Sequence, residues 1–169
     1  MIDTVATVLL GIVASGWDIR TRRIPNALTL GFPVAALAFH LYMNGMDGGI
    51  STLGGWALGL VLFLPLFALG GMGAGDVKLL AAFGAWLGPW NVLQTALAAG
   101  VIGGVLALGL ALGRSYMTQA LTNMWSLLLF WRSEGLRPHP TLTLDSHDGP
   151  RLAYAIPISI GAIVALWLQ

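Results

Sequence analysis

Apolar residues in this chain cluster into long uninterrupted runs, at residues 4–19, 27–43, 50–69, 77–88, 90–113 and 152–168. A helix needs about 20 mostly apolar residues to cross a bilayer, so the pattern predicts six crossings. The breaks between runs are rich in turn formers: Arg23-Ile24-Pro25-Asn26, the stretch 44–49, the glycine run 70–75, and Gly88-Pro89. The fourth run has only about a dozen residues, too few to cross a ~30 Å hydrocarbon core as a helix. Pro65 and Pro157 fall inside runs and predict kinks, which membrane bundles tolerate where neighbours re-satisfy the freed carbonyls.

Residues 114–151 are too polar to span. Within them Met117, Leu121, Met124, Trp125, Leu128 and Leu129 recur at helical spacing opposite Thr118, Thr122 and Ser126, although Leu127 and Phe130 blur the polar face. That pattern predicts a helix lying in the membrane interface, followed by a hydrated loop. The expected fold is therefore all-α: a polytopic membrane helix bundle of six transmembrane helices plus a cytoplasmic interfacial amphipathic helix. It forms a single domain over residues 1–169, with the interfacial helix and loop at about 114–151. Small residues four apart, as in Gly55/Gly59, Gly100/Gly104 and Gly109/Gly113, predict close helix approach within this bundle rather than a dimer face.

Composition agrees with a lipid solvent. Of 169 residues 57% are hydrophobic and 9% charged, and mean hydropathy is +0.81; a soluble domain carries about 25% charged residues. The net charge of +1 offers no argument for a nucleic-acid partner. No cysteine is present, which excludes disulfides, thiol catalysis and cysteine-ligated metal sites. The first apolar run has its basic cluster behind it rather than in front, the reverse of a secretory signal, and is expected to remain as a spanning helix. With six crossings, Arg20, Arg22, Arg23, Lys78, Arg114, Arg132, Arg137 and Arg151 all fall on one side. The positive-inside rule makes that side cytoplasmic and puts both termini outside.

Seven acidic residues remain to be explained. Asp3 and Asp47 fall at outer helix ends or loops, and Glu134, Asp145 and Asp148 in the polar segment. Asp18 and Asp76 instead stand where an apolar helix meets the cytoplasmic face. A carboxylate near the bilayer centre costs roughly 2.5–3.5 kcal/mol on insertion scales, so such residues usually face the bundle and act there. Asp76 closes the glycine run and opens the short fourth helix, so it is expected at a submerged helix N-terminus. Each aspartate alone fits an interfacial helix cap. Two carboxylates brought together share a proton, one as base and one as acid, and can activate water without metal or thiol. His40 is expected to pack or hydrogen-bond. His139 with Asp145-Ser146-His147-Asp148 matches no zinc spacing, and neither metal nor cofactor is expected.

Two stretches resemble the type IV prepilin peptidases. One is Asp18-Ile-Arg-Thr-Arg-Arg-Ile24-Pro25-Asn26; the other is Gly73-Ala74-Gly75-Asp76-Val77-Lys78-Leu79. Tyr154-Ala155-Ile156-Pro157 with Gly161 is a weaker match to that family's last helix. The resemblance implies an aspartic endopeptidase of the bacterial inner membrane with Asp18 and Asp76 as its catalytic pair. It would cut the basic leader from prepilins or pseudopilins at the cytoplasmic face. Without the cysteine-rich zinc segment of the larger enzymes, the chain looks like the minimal peptidase-only form of tight-adherence (Flp) pili, without N-methylation. Gly73 and Gly75 are expected to let substrate backbone approach. Lys78, about 200° round the helix from Asp76, is expected to point away and snorkel, or to attract an acidic group on the substrate. Two other readings compete: a presenilin-like intramembrane aspartyl protease, whose Tyr-Asp and Pro-Ala-Leu motifs are missing, and an ion-coupled transporter, which does not predict Ile-Pro-Asn.

Overall fold

The computed structural model describes residues 1–113, 115–144 and 152–168. Arg114, Arg151 and the Asp145-Ser146-His147-Asp148 group lie outside the described residues. The chain forms α1 (Ile2–Thr21), α2 (Asn26–Ala68), α3 (Ala74–Gly113), α4 (Met117–Glu134) and α5 (Ala155–Trp167). Among the described residues there is no strand. Helices α1, α2 and α3 are long and apolar enough to cross a membrane.

Helix α2 has 43 residues, and a straight helix of that length would reach about 65 Å, twice the hydrocarbon core. It is not straight. Gly45 leaves helical geometry at φ 60°, ψ −145°, and the chain doubles back there. His40 Nδ1 lies 2.7 Å from Thr52 Oγ1, although twelve residues of straight helix would rise ~18 Å. The missing side chain of Gly49 leaves room for Leu41 across the hairpin. In α3 the same device operates at Gly88 (φ 79°, ψ 175°), followed by Pro89. Only there could Val92 approach to 3.1 Å from the place of a Gly84 Cβ.

Both breaks fall in predicted turn segments but are tighter than predicted. Residues 46–49 are helical rather than loop, because one glycine at positive φ completes the reversal. Backbone geometry leaves the helical region at Gly45, not at Pro33 or Pro65. Pro157 lies in the first turn of α5, where a missing N–H leaves no intrahelical bond unmade. The fourth apolar run starts its helix earlier than predicted, at Ala74, so Gly75 and Asp76 belong to the first turn of α3.

The first half of α3 is the centre of the molecule: residues 79–87 are all buried, as expected of a helix apolar on every side. Its backbone meets α2 at Gly55 and Gly84, where neither position has room for a Cβ. A Cβ at Gly59 would stand 2.7 Å from Ala81 Cα. Trp86 closes the other flank by donating to Phe32 O at 3.1 Å. The pair Gly55/Gly59 thus packs as expected. Gly100, Gly104, Gly109 and Gly113 do not, having open space around them. The second half of α3 exposes Leu97, Val101, Val105, Leu108 and Leu112 in one stripe, a surface suited to lipid rather than water.

Candidate active site

Asp18 occupies the last turn of α1. The helix ends when Arg22 turns left-handed (φ 54°, ψ 28°) and donates its N–H to Asp18 O at 2.9 Å. The Thr21 hydroxyl lies within hydrogen-bonding distance of both Trp17 O (3.0 Å) and Arg23 O (2.9 Å) and shares its one proton between them, fixing the exit path. Pro25, extended at φ −61°, ψ 137°, then opens α2 at Asn26. The segment from Asp18 to Asn26 is thus a compact reversal that leaves the carboxylate on its inner side, 7% exposed.

Asp76 is positioned by the glycine run. Gly70 sits at φ 76°, Met72 is buried, and Gly73 O accepts N–H bonds from Asp76 (3.1 Å) and Val77 (3.4 Å). The two aspartates line one cavity of about 320 Å³, together with Arg22, Arg23, Ile24, Asn26, Gly73, Ala74, Gly75 and Lys78. The sequence-predicted residues therefore all meet in one place.

Their individual roles differ from expectation in detail. Lys78 Nζ donates to Asn26 Oδ1 at 2.9 Å; rather than running free to the interface, it ties the start of α3 to the start of α2. A Cβ on Gly73 would lie 3.2 Å from Asp76 Oδ2, whereas one on Gly75 would meet Ile24 at an ordinary 3.4 Å. Gly73 is the glycine that leaves the carboxylate room.

One contributor escaped the sequence reading. Ala155 N–H, at the start of α5, donates to Asp18 Oδ2 at 3.3 Å. Below it Ser159 Oγ donates to Ala155 O at 2.7 Å and lies 3.3 Å from Gly11 O, so α5 is seated on α1. The only signal was the Tyr-Ala-Ile-Pro stretch, which names the helix but not the backbone donor. His40 and His139 stand apart from the cavity. His40 Nε2 meets Asp3 Oδ1 at 3.1 Å, and His139 Nδ1 accepts Thr141 N–H at 3.2 Å.

Residues 5–108 match the type IV leader peptidase family. The chain belongs to that family. The matched stretch contains both aspartates and the glycine run, as the two motifs implied; Ala155 lies beyond it. Similar proteins include the prepilin leader peptidase/N-methyltransferase of Aeromonas salmonicida (strain A449), 37% identical over 106 residues, 59% of this chain and 36% of that one. The protein of the same name from Burkholderia pseudomallei (strain 1026b) is 37% identical over 102 residues, 56% of this chain and 32% of its own. That from Klebsiella pneumoniae is 36% identical over 93 residues, 51% and 40% respectively. This leader peptidase family member thus spans well under half the length of the curated relatives it matches. No solved structure matches it significantly.

Proposed function

We propose that this leader peptidase family member is an aspartic endopeptidase of the bacterial inner membrane, cutting the leader from prepilins or pseudopilins at the cytoplasmic face. The observation that carries the proposal is the shared cavity of Asp18 and Asp76. A water between the carboxyl groups gives a proton to the ionised one as its oxygen bonds to the scissile carbonyl carbon. The protonated carboxyl gives its proton to the carbonyl oxygen. The tetrahedral diol then collapses, the C–N bond breaks, and the amine leaves with a proton from the dyad. The substrate backbone lies extended along residues 73–75, with Lys78 at the rim.

Six crossings follow if the halves of α2 and α3 on either side of Gly45 and Gly88 each cross, with α1 and α5 as the first and last, the short first half of α3 completing its crossing because the glycine run ahead of it dips below the membrane surface. Arg20, Arg22, Arg23 and Lys78 then share the cytoplasmic end with the aspartates, and both termini lie outside. Helix α4, which buries none of its residues and exposes Leu121, Met124, Trp125, Leu128 and Leu129, lies in the cytoplasmic interface with that face in lipid. Only the peptidase half of the relatives' double name is assigned. The zinc-binding cysteine segment that the resemblance ties to methyl transfer has no counterpart in a sequence without cysteine. A presenilin-like protease or an ion-coupled transporter accounts for the carboxylates but not for the family match.

The test is cleavage of a prepilin by the purified protein in liposomes. Asp18→Asn and Asp76→Asn should each abolish cleavage in a folded, inserted protein, and chelators should leave the wild type active. Near-normal turnover by either variant, or EDTA-sensitive activity restored by zinc, would sink the proposal.

A further inference from the structure

The N–H that Ala155 donates to Asp18 Oδ2 belongs to the peptide unit joining Tyr154 to Ala155. Whatever fixes that unit fixes the donor. Its carbonyl, Tyr154 O, accepts Ile158 N–H at 3.2 Å, which aligns the unit with the axis of α5. In a trans peptide the N–H points opposite the carbonyl, so this one leaves the helix end toward Asp18. The next two residues cannot replace it. Ile156 N–H is donated to Ala153 O at 3.1 Å, and Pro157 has no N–H.

The Tyr154 side chain sits in a notch of α3. Gly103 is buried, on the face of the second half of α3 opposite the exposed stripe. A Cβ there would stand 2.8 Å from the Tyr154 hydroxyl oxygen and 2.9 Å from Cε2, so the ring occupies the space that the missing side chain leaves. Phe63 of α2 meets the same ring edge-on, with centroids 6.2 Å apart and planes at 68°, a geometry that ring quadrupoles favour. Two helices thus hold the phenol.

Further along α5, Gly161 brings the backbones together again: a Cβ there would lie 2.6 Å from Thr95 O. Gly161 and Gly103 set where α5 lies along α3, and of these two contacts the one at Tyr154 adjoins the Asp18 donor. Tyr154 is not among the residues that line the aspartate cavity, and the hydrolysis described above asks nothing of its hydroxyl. Its influence on the chemistry runs through the peptide it shares with Ala155.

We infer that Tyr154 is a positioning residue of the peptidase: its ring, keyed into the Gly103 notch and edged by Phe63, holds the Tyr154–Ala155 peptide so that the N–H aims the Asp18 carboxylate. The inference rests on the peptidase reading and adds to it a residue of the last helix, beyond the stretch that matches the family.

The test is prepilin cleavage by the full chain in liposomes, with kcat and KM separated and the inserted, folded protein quantified for each variant. Tyr154→Phe keeps the ring and should retain most of the wild-type kcat. Tyr154→Ala should lose about tenfold to a hundredfold in kcat with KM little changed, since a positioned group displaced by about 1 Å can cost ~10²-fold. Gly103→Ala fills the notch from the other side and should lose kcat in the same way. Adding Tyr154→Leu, a shorter side chain, to Gly103→Ala should recover part of that loss. A merely structural role predicts a lower Tm and less folded protein, but an unchanged kcat for the protein that is folded; that result overturns the inference. So does equal damage from Tyr154→Phe and Tyr154→Ala, which would assign the effect to the hydroxyl, or a double variant no faster than Gly103→Ala alone. In each of these cases, wild-type activity that depends on Asp18 and Asp76 leaves the peptidase reading standing. A wild type that cuts no prepilin removes both.

Discussion

Ala155 donates its backbone N–H to Oδ2 of Asp18 across a gap of 137 residues in sequence, at 3.3 Å. The candidate dyad is therefore a three-helix construction: α1 supplies one carboxylate, α3 the other, and the start of α5 orients the first. The seat of α5 on α1 is the contact between Gly11 and Ser159, where an added Cβ would come within 3.1 Å of Ser159 Cβ.

Gly11→Val should push α5 off α1 and withdraw the Ala155 donor. A displacement of about 1 Å in a positioned group can cost ~10²-fold in rate. The expected result is a large loss of kcat in single-turnover cleavage, with KM for the prepilin little changed. Unaltered kcat would mean that the Ala155 bond does not orient Asp18 in catalysis.

The Lys78–Asn26 bond joins the two motif segments, and its energetic weight can be measured by a double-mutant cycle. Lys78→Gln and Asn26→Ala should each lower cleavage, and the double variant should be no worse than the poorer single one. Because the bond is exposed, the coupling should be about 0.5–1 kcal/mol. Strictly additive losses would point to Lys78 acting on the substrate instead. In that case Lys78→Gln should lose its effect on substrates stripped of acidic residues near the cut.

How much of this was legible depended on the range of the interaction. The aspartates, the glycine run and the Ile-Pro-Asn turn are local patterns, each with its own physical signature, and the structure gathers them in one cavity. The reversals at Gly45 and Gly88 were visible as turn composition. Their one-residue tightness was not, because it depends on Thr52 reaching His40 and Val92 reaching Gly84. Glycine spacing misled at Gly100/Gly104 and Gly109/Gly113 because small-residue periodicity does not say which face has a neighbour. The Ala155 donor could not be seen at all, since a backbone N–H carries no residue identity.

At the opposite end of α1 the same logic predicts a stability effect without a catalytic one. Thr52 is buried and pairs with His40 Nδ1, while His40 Nε2 meets Asp3. Thr52→Val leaves His40 Nδ1 without that partner and should cost about 1–3 kcal/mol. Asp3 and Asp18 are separated by fifteen residues of helix, ~22 Å, so turnover well below the melting temperature should not change. A lower Tm in detergent with an unchanged kcat is the expected pair of results; a parallel fall in kcat at low temperature would show that the hairpin and the dyad are coupled.

The glycines of the second motif provide the sharpest contrast. By sequence alone Gly73 and Gly75 looked equivalent, and bulk at either was expected to obstruct the substrate. The structure separates them. A methyl on Gly73 would stand 3.2 Å from Asp76 Oδ2, tight for any Cβ and aimed at the candidate catalytic oxygen. A methyl on Gly75 would touch Ile24 at 3.4 Å, an ordinary packing distance, and would add slightly to helix propensity in the first turn of α3. Gly73→Ala should therefore lower kcat on every prepilin by crowding the carboxylate. Gly75→Ala should stay within a few-fold of wild type, and Gly75→Val should lose more because its extra methyls press on the Ile24 turn. Equal damage from the two alanine variants would mean that the substrate, not Asp76, needs the space above the loop.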